Sequence, residues 1–211
     1  MEGLGTTMKT LAPLQPGQYY HIYNRGNNRE DLFREERNYR YFLQLCTRHV
    51  HPIADMFAYC LMRNHFHLLL RIKEQTSQVS KTCEVLTPRK VSQHFSNLFN
   101  AYTKAINKAY GRSGSLFEER FGRITVTADA YFTNLIFYIH FNPQKHGFVD
   151  DFRQWPWSSY HVLRAAGATE LKRDAVLDWY GGATQFEAFH RGMVDEKNVS
   201  ALIDAEDLTG F

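Results

Sequence analysis

Two apolar runs, IADMFAYCL at 53–61 and HFHLLLRIK at 65–73, are separated only by Met62-Arg63-Asn64. Both runs have strand length, and three residues are too few for a crossover, so the two strands must pair antiparallel as a hairpin. The hairpin fixes what its neighbours can be. Upstream, QYYHIYN at 18–24 alternates large side chains and reads as a strand, followed by the turn residues Arg25-Gly26-Asn27-Asn28. Tyr39, Phe42, Leu43, Cys46 and Val50 recur at three- and four-residue steps and predict a helix over 35–50, closed before Pro52. Downstream, 74–88 reads as a polar loop. Val91, Phe95, Leu98, Phe99, Tyr102, Ile106 and Ala109 then form one apolar helical stripe that Gly111 stops. SLFEERFGRITVT at 115–127 reads as a strand with a bend at Gly122, and a last helix over 129–142 ends before Pro143. Strand, helix, strand, strand, helix, strand, helix is an α+β order: a ferredoxin-like, split βαββαβ antiparallel sheet with an extra helix at its C-terminal end.

Composition narrows the function classes. With 211 residues and 44% hydrophobic side chains the chain has enough apolar surface for a full core, which excludes a disordered chain or a disulfide-stapled miniprotein. No apolar run approaches the ~20 residues needed to span a bilayer, and the first 18 residues lack the apolar core of a secretion signal. The cysteines Cys46, Cys60 and Cys83 form no CxxC pair, so a reduced, cytoplasmic setting is expected. Residues 1–17, with Pro13 and Pro16, read as an N-terminal arm, 18–150 as the main domain and 151–211 as a C-terminal extension. That extension holds WPWSSYHVL at 155–163, a helix near 184–192 and an acidic end. Residues 1–150 carry 19 Lys and Arg against 12 Asp and Glu, whereas 151–211 carry 6 against 10. A basic body suits an anionic partner such as nucleic acid; an unevenly charged solvated surface is the plainer alternative. The five acids and single lysine of 194–211 suggest a tail that covers the basic cleft.

Chemistry gathers at two places. In the strand at 65–73, His65 and His67 project from one face, where two imidazoles could share a divalent metal or simply form a partly exposed pair. In the last helix Phe132, Leu135, Ile136 and Ile139 mark a buried stripe, flanked by Tyr131, Asn134, Tyr138 and Asn142. Asn142, one turn after Tyr138, could supply a third, amide ligand; alternatively Tyr138 is a core tyrosine and Asn142-Pro143 an ordinary helix end. Arg25, Lys104, Lys108, Arg120 and Arg123 lie on or beside these elements and are candidates for phosphate contacts, each also readable as a surface charge. Trp155, Trp157 and Tyr160 could stack on bases or pin the C-terminal segment to the body.

YYHIYNRGNNREDLF at 19–33, MRNHFHLLLRI at 62–72, SLFEERF at 115–121, YIHFNPQKHGFV at 138–149 and WPWSSY at 155–160 occur in this order. In these pieces the chain resembles the single-tyrosine HUH transposases, within them the group associated with repetitive extragenic palindromes (REP). The resemblance implies that the C-terminal helix of the sheet domain is catalytic, with Tyr138 as nucleophile. It makes His65 and His67 the metal histidines and Asn142 the third ligand, where the wider family often carries glutamine. It further implies Mg²⁺ or Mn²⁺ as cofactor, single-stranded hairpin DNA as partner, a 5′-phosphotyrosine intermediate, and a monomer or homodimer. Two imidazoles and an amide carry no formal charge, so metal binding should be weak until a DNA phosphate joins them. Competing readings are a non-catalytic hairpin-binding module and a related HUH nickase. A zinc enzyme would need a third strong ligand at familiar spacing, which the sequence does not show.

Overall fold

The computed structural model describes residues 12–75, 85–127 and 129–193, with backbone alone for 129–131. The acidic tail at 194–211, most of the N-terminal arm, the middle of the 74–88 loop and the side chain of Tyr131 therefore lie outside the described residues. The sheet comprises β1 (Tyr19–Arg25), β2 (Ala54–Leu61), β3 (His65–Ile72) and β4 (Gly122–Val126) in the order β2-β3-β1-β4, every neighbouring pair antiparallel. This is the ferredoxin-like order expected from the hairpin and its flanking helices. Helix α1 spans Glu36–His49, α2 Pro88–Tyr110 and α3 Asp129–Lys145; α4 (Ser159–Arg164), α5 (Arg173–Tyr180) and α6 (Ala183–Gly192) follow.

Local chemistry sets the helix ends. Glu35 and Asn38 form a reciprocal capping box ahead of α1. Thr87 caps α2 with Pro88 in its first turn, and Gly111, at φ 61°, closes it in the left-handed conformation that glycine adopts without strain.

Alternation along β3 divides its side chains between two layers. Phe66 faces α1 and α2, with ring centroids 5.1 Å from Phe42 and 5.9 Å from Phe99. His65 and His67 face the opposite side, which α3 covers. There Phe132 packs edge-on against Tyr19 at 4.7 Å, and Trp179 of α5 stacks on Phe57 at 5.0 Å and on Phe132 at 4.7 Å.

The outer edge of β2 is occupied by the C-terminal segment. Tyr59 N donates to Ser159 Oγ, Leu61 N to Trp157 O and Lys172 N to Met56 O, each at 2.9 Å. An otherwise open strand edge is thereby paired. Trp155 Nε1 donates to Leu61 O at 2.9 Å, Trp157 stacks on Tyr39 at 4.6 Å, and Tyr160 is buried, so these aromatics pin the segment rather than stand ready for bases.

Two local expectations are corrected. The strand expected over 115–127 is β4 alone. Phe117 bridges Gly26 and Glu118 N donates to Arg25 O, but pairing then breaks and resumes at Gly122 opposite Tyr23. Phe121 leaves the strand because α2 offers it an apolar seat, 5.3 Å from Phe95 and 5.4 Å from Phe99. Gly122, where pairing resumes, also provides clearance: a Cβ there would sit 2.1 Å from the Tyr23 ring.

Helix α3 does not end before Pro143 but runs through it to Lys145. In the final turn a proline forfeits one hydrogen bond, to the Ile139 carbonyl, and the turn is completed by His146 N on Asn142 O. The stop is Gly147, at φ 68°. Through its centre α3 is enclosed: residues 135–143 are buried throughout, because the sheet covers one side and Phe152 and Phe189 pack on Phe137 from the other.

Candidate active site

The site is built on the α3 side of β3 and β1. His65 and His67 stand side by side with ring centroids 5.3 Å apart and nearly perpendicular planes. β1 brings a third imidazole to the same face. His21 stacks on His67 at 5.0 Å, its Nε2 2.9 Å from His67 Nδ1.

His65 Nδ1 lies 2.7 Å from Asn64 Oδ1. The amide oxygen only accepts, so Nδ1 carries the proton and Nε2 presents its lone pair. Burial, with His146, Arg25 and Lys145 adding to it, pushes the His65 imidazole down to about 3. Burial again, reinforced by His21 and His65, holds His67 well below the ordinary histidine value. Both rings are therefore neutral at physiological pH, the form that ligates metal.

Helix α3 places Tyr138 over this floor. Its ring meets His67 edge-on at 5.8 Å and His21 at 6.3 Å. One turn on, Asn142 is fully buried and its Nδ2 donates to Tyr138 O at 2.8 Å. Asn142 Oδ1 is sealed from water and has no hydrogen-bond partner. Such an acceptor costs about 1–3 kcal/mol unless something else takes its lone pair. Two neutral imidazoles and an orphaned amide oxygen form a donor set that fits a divalent cation. Among the described residues no group of three His, Cys, Asp or Glu side chains is placed to hold a metal.

The last turn of α3 adds two groups that sequence reasoning missed. Lys145 Nζ stands 5.2 Å from the centre of the Tyr138 ring, and His146 packs edge-on to His65 at 4.7 Å. A helix that ended before Pro143 would put both in a loop. His21 was missed for another reason. Its alternation with Tyr19 and Tyr23 was legible, but only the sheet order makes β1 the neighbour of β3.

Of the basic candidates, Arg25 lies beside the site, opposite His65 in the β1–β3 register and paired with Glu118 at 2.5 Å. Lys104 and Lys108 are exposed on α2, on the other side of the sheet, and Arg120 and Arg123 border a pocket between α2 and β4. These four are not brought to Tyr138.

A ferredoxin-like sheet carrying a His-x-His pair on a central strand, with a helical tyrosine packed over it, is the arrangement of a single-tyrosine HUH protein. The family model described as "Transposase IS200 like" matches residues 15–142, and the chain belongs to that family. A Haemophilus influenzae protein assigned to the REP-associated tyrosine transposases is 28% identical over 111 residues, covering 53% of this chain and 61% of that protein. The REP-associated tyrosine transposase of Escherichia coli K12 is 29% identical over 97 residues, covering 46% of this chain and 54% of that protein. The matched region thus spans somewhat over half the length of these curated relatives. The solved structure of a REP-associated tyrosine transposase bound to a REP hairpin superposes with a TM-score of 0.58 at 16% identity, covering 77% of this chain and 88% of that one, which shows a shared fold. Among the described residues no helix is long and apolar enough to cross a membrane.

Proposed function

We propose that this chain is a metal-dependent transposase acting in the cytoplasm on single-stranded DNA, cleaving and rejoining it beside hairpins through a 5′-phosphotyrosine intermediate. The observation that carries the reading is the placement of Tyr138 edge-on to His67, with the orphaned Asn142 oxygen one turn away on the same helix. Tyr138 Oη attacks the phosphorus of a phosphodiester. The phenol loses its proton, the bond to the 3′ oxygen breaks, and that oxygen leaves as a 3′-hydroxyl. The enzyme then holds the 5′ end of the strand, and attack by another 3′-hydroxyl reverses the chemistry and joins strands without ATP.

A divalent ion, Mg²⁺ or Mn²⁺, held by His65, His67 and Asn142 would polarise the phosphate and offset its developing charge. The protein's own part is positional. Asn64 and His21 set the two histidine rings, and burial keeps them neutral. Lys145, above the tyrosine ring, supplies positive charge where the phosphate must approach.

The test is a covalent-adduct gel with Mn²⁺ or Mg²⁺ and single-stranded hairpin DNA taken from palindromes flanking the gene, run beside Tyr138→Phe. A denaturant-resistant band that requires both metal and Tyr138 supports the enzyme. Tight hairpin binding by both proteins without a band would make the chain a binding module instead.

A further inference from the structure

On the far side of the sheet from Tyr138, a pocket of about 460 Å³ opens between α2 and the β4 edge. This is within the usual size range of ligand sites. Its floor is aromatic, contributed by Phe99, Phe117 and Phe121. Its α2 wall is a row of neutral hydrogen-bonding groups one turn apart, Ser92, Ser96 and Asn100. Arg123 closes it from β4, its guanidinium 4.9 Å from the centre of the Phe121 ring.

Arg123 is the unusual member. Its Nε is buried and meets no acceptor, and among the described residues it has no carboxylate partner. Burial lowers its guanidinium below the usual arginine range. A half-buried arginine set beside a ring, with one buried N–H lacking an acceptor, is arranged to receive one from a ligand.

We propose that this pocket takes an unpaired nucleobase of the DNA strand, sandwiched against the phenylalanines with an acceptor edge turned toward Arg123. The inference rests on the proposed function and extends it to a second contact. A base fits better than a phosphate. The charges that line the pocket balance, Arg120 and Arg123 against Glu118 and Glu119, and the α2 wall contributes no cation, so its aromatic floor favours a neutral flat ring with donor groups over an anion. Stacking on aromatic faces with Arg nearby is how unpaired bases are commonly held.

The pocket is also connected to the site. β4 is an edge strand, so a strand of DNA can pass round it, and Glu118 of the pocket holds Arg25, which lies opposite His65.

The experiment uses the full chain and fluorescence anisotropy with two hairpins. One has a short mixed-sequence single-stranded overhang; the other has the same overhang made abasic. Two variants accompany the wild type: Arg123→Gln, and Ser96→Phe, which fills the pocket from an exposed helix position. The wild type should bind the intact overhang about 5- to 150-fold more tightly than the abasic one, the range that base stacking supplies. Both variants should bind the intact overhang no better than the wild type binds the abasic one, with little further loss on abasic DNA. Equal wild-type affinity for both hairpins, or equal losses by the variants on both, would overturn the base pocket. If the wild type still forms the Tyr138 adduct in that case, only the pocket fails. If it binds neither hairpin, the proposed function fails and the pocket with it.

Discussion

His21 Nε2 lies 2.9 Å from His67 Nδ1, and the two buried rings stack at 5.0 Å. For His67 to offer Nε2 to a metal, Nδ1 must carry its proton, and His21 is the group that accepts it. On the proposed function His21 is thus a positioning residue that acts through His67, as partners of metal-bound histidines commonly do. His21→Ala should raise the Mn²⁺ concentration needed for half-maximal adduct formation by roughly 10- to 100-fold. His21→Gln, which keeps an acceptor, should recover part of that loss. An unchanged metal requirement in His21→Ala would remove His21 from the site.

Asn142 separates stability from function. Its Oδ1 is buried without a partner, while its Nδ2 satisfies the Tyr138 carbonyl. Leucine, of similar shape, relieves the unsatisfied acceptor but gives up the Nδ2 bond, two effects of opposite sign and similar size. Asn142→Leu should therefore leave the Tm nearly unchanged while abolishing the metal-dependent adduct. A fall of several degrees in Tm would mean that the amide serves the fold. An undiminished adduct would mean that it is no ligand.

The hairpin at 53–73, the shared face of His65 and His67, and the α2 stripe were legible because each depends on periodicity within one element. With the hairpin fixed between two helices, the sheet order followed as well. Relations that need two distant elements in register were not legible. His21 meets His67 only because β1 lies beside β3. Lys145 and His146 reach the site only because α3 passes through Pro143, and nothing local to the proline says that the packing on both sides of the helix outweighs one lost hydrogen bond. Likewise SLFEERF carries strand-like residues, yet Phe121 gains more by packing on α2 than by continuing the ladder.

Gly122 is a test of that broken edge. A Cβ at this position would lie 2.1 Å from the Tyr23 ring, so even alanine must displace an aromatic side chain. Gly122→Ala should cost about 1–3 kcal/mol in urea unfolding, the usual range for overpacking. Adding Tyr23→Ala should return part of that loss by clearing the space, so the two substitutions should be strongly non-additive. Additive losses in the double variant would show that the clash is relieved elsewhere.

The last prediction concerns acid. His190 Nδ1 donates to Phe186 O at 2.9 Å, and since a carbonyl only accepts, the neutral ring turns Nε2 toward His140 Nδ1, also at 2.9 Å. His140 Nε2 then accepts from Ser159 Oγ at 2.8 Å, and Ser159 Oγ accepts from Tyr59 N. Neutral histidines thus link α6 through α3 and α4 to the sheet, and a second proton on His190 would set donor against donor. Burial pushes His190 down to about 4 from its ordinary 6.5 and holds His140 well below that value. Between those pH values the unfolded chain binds the proton and the folded chain does not, so stability increases with pH across the window. The contribution is complete above about pH 6.5 and is lost as pH falls toward 4, up to about 3 kcal/mol for His190 alone. Urea unfolding at pH 7 and pH 4.5 should show the wild type losing stability on acidification. His190→Gln, less stable at neutral pH, should lose distinctly less between the two. Identical losses in the two proteins would show that the folded state accommodates a charged His190.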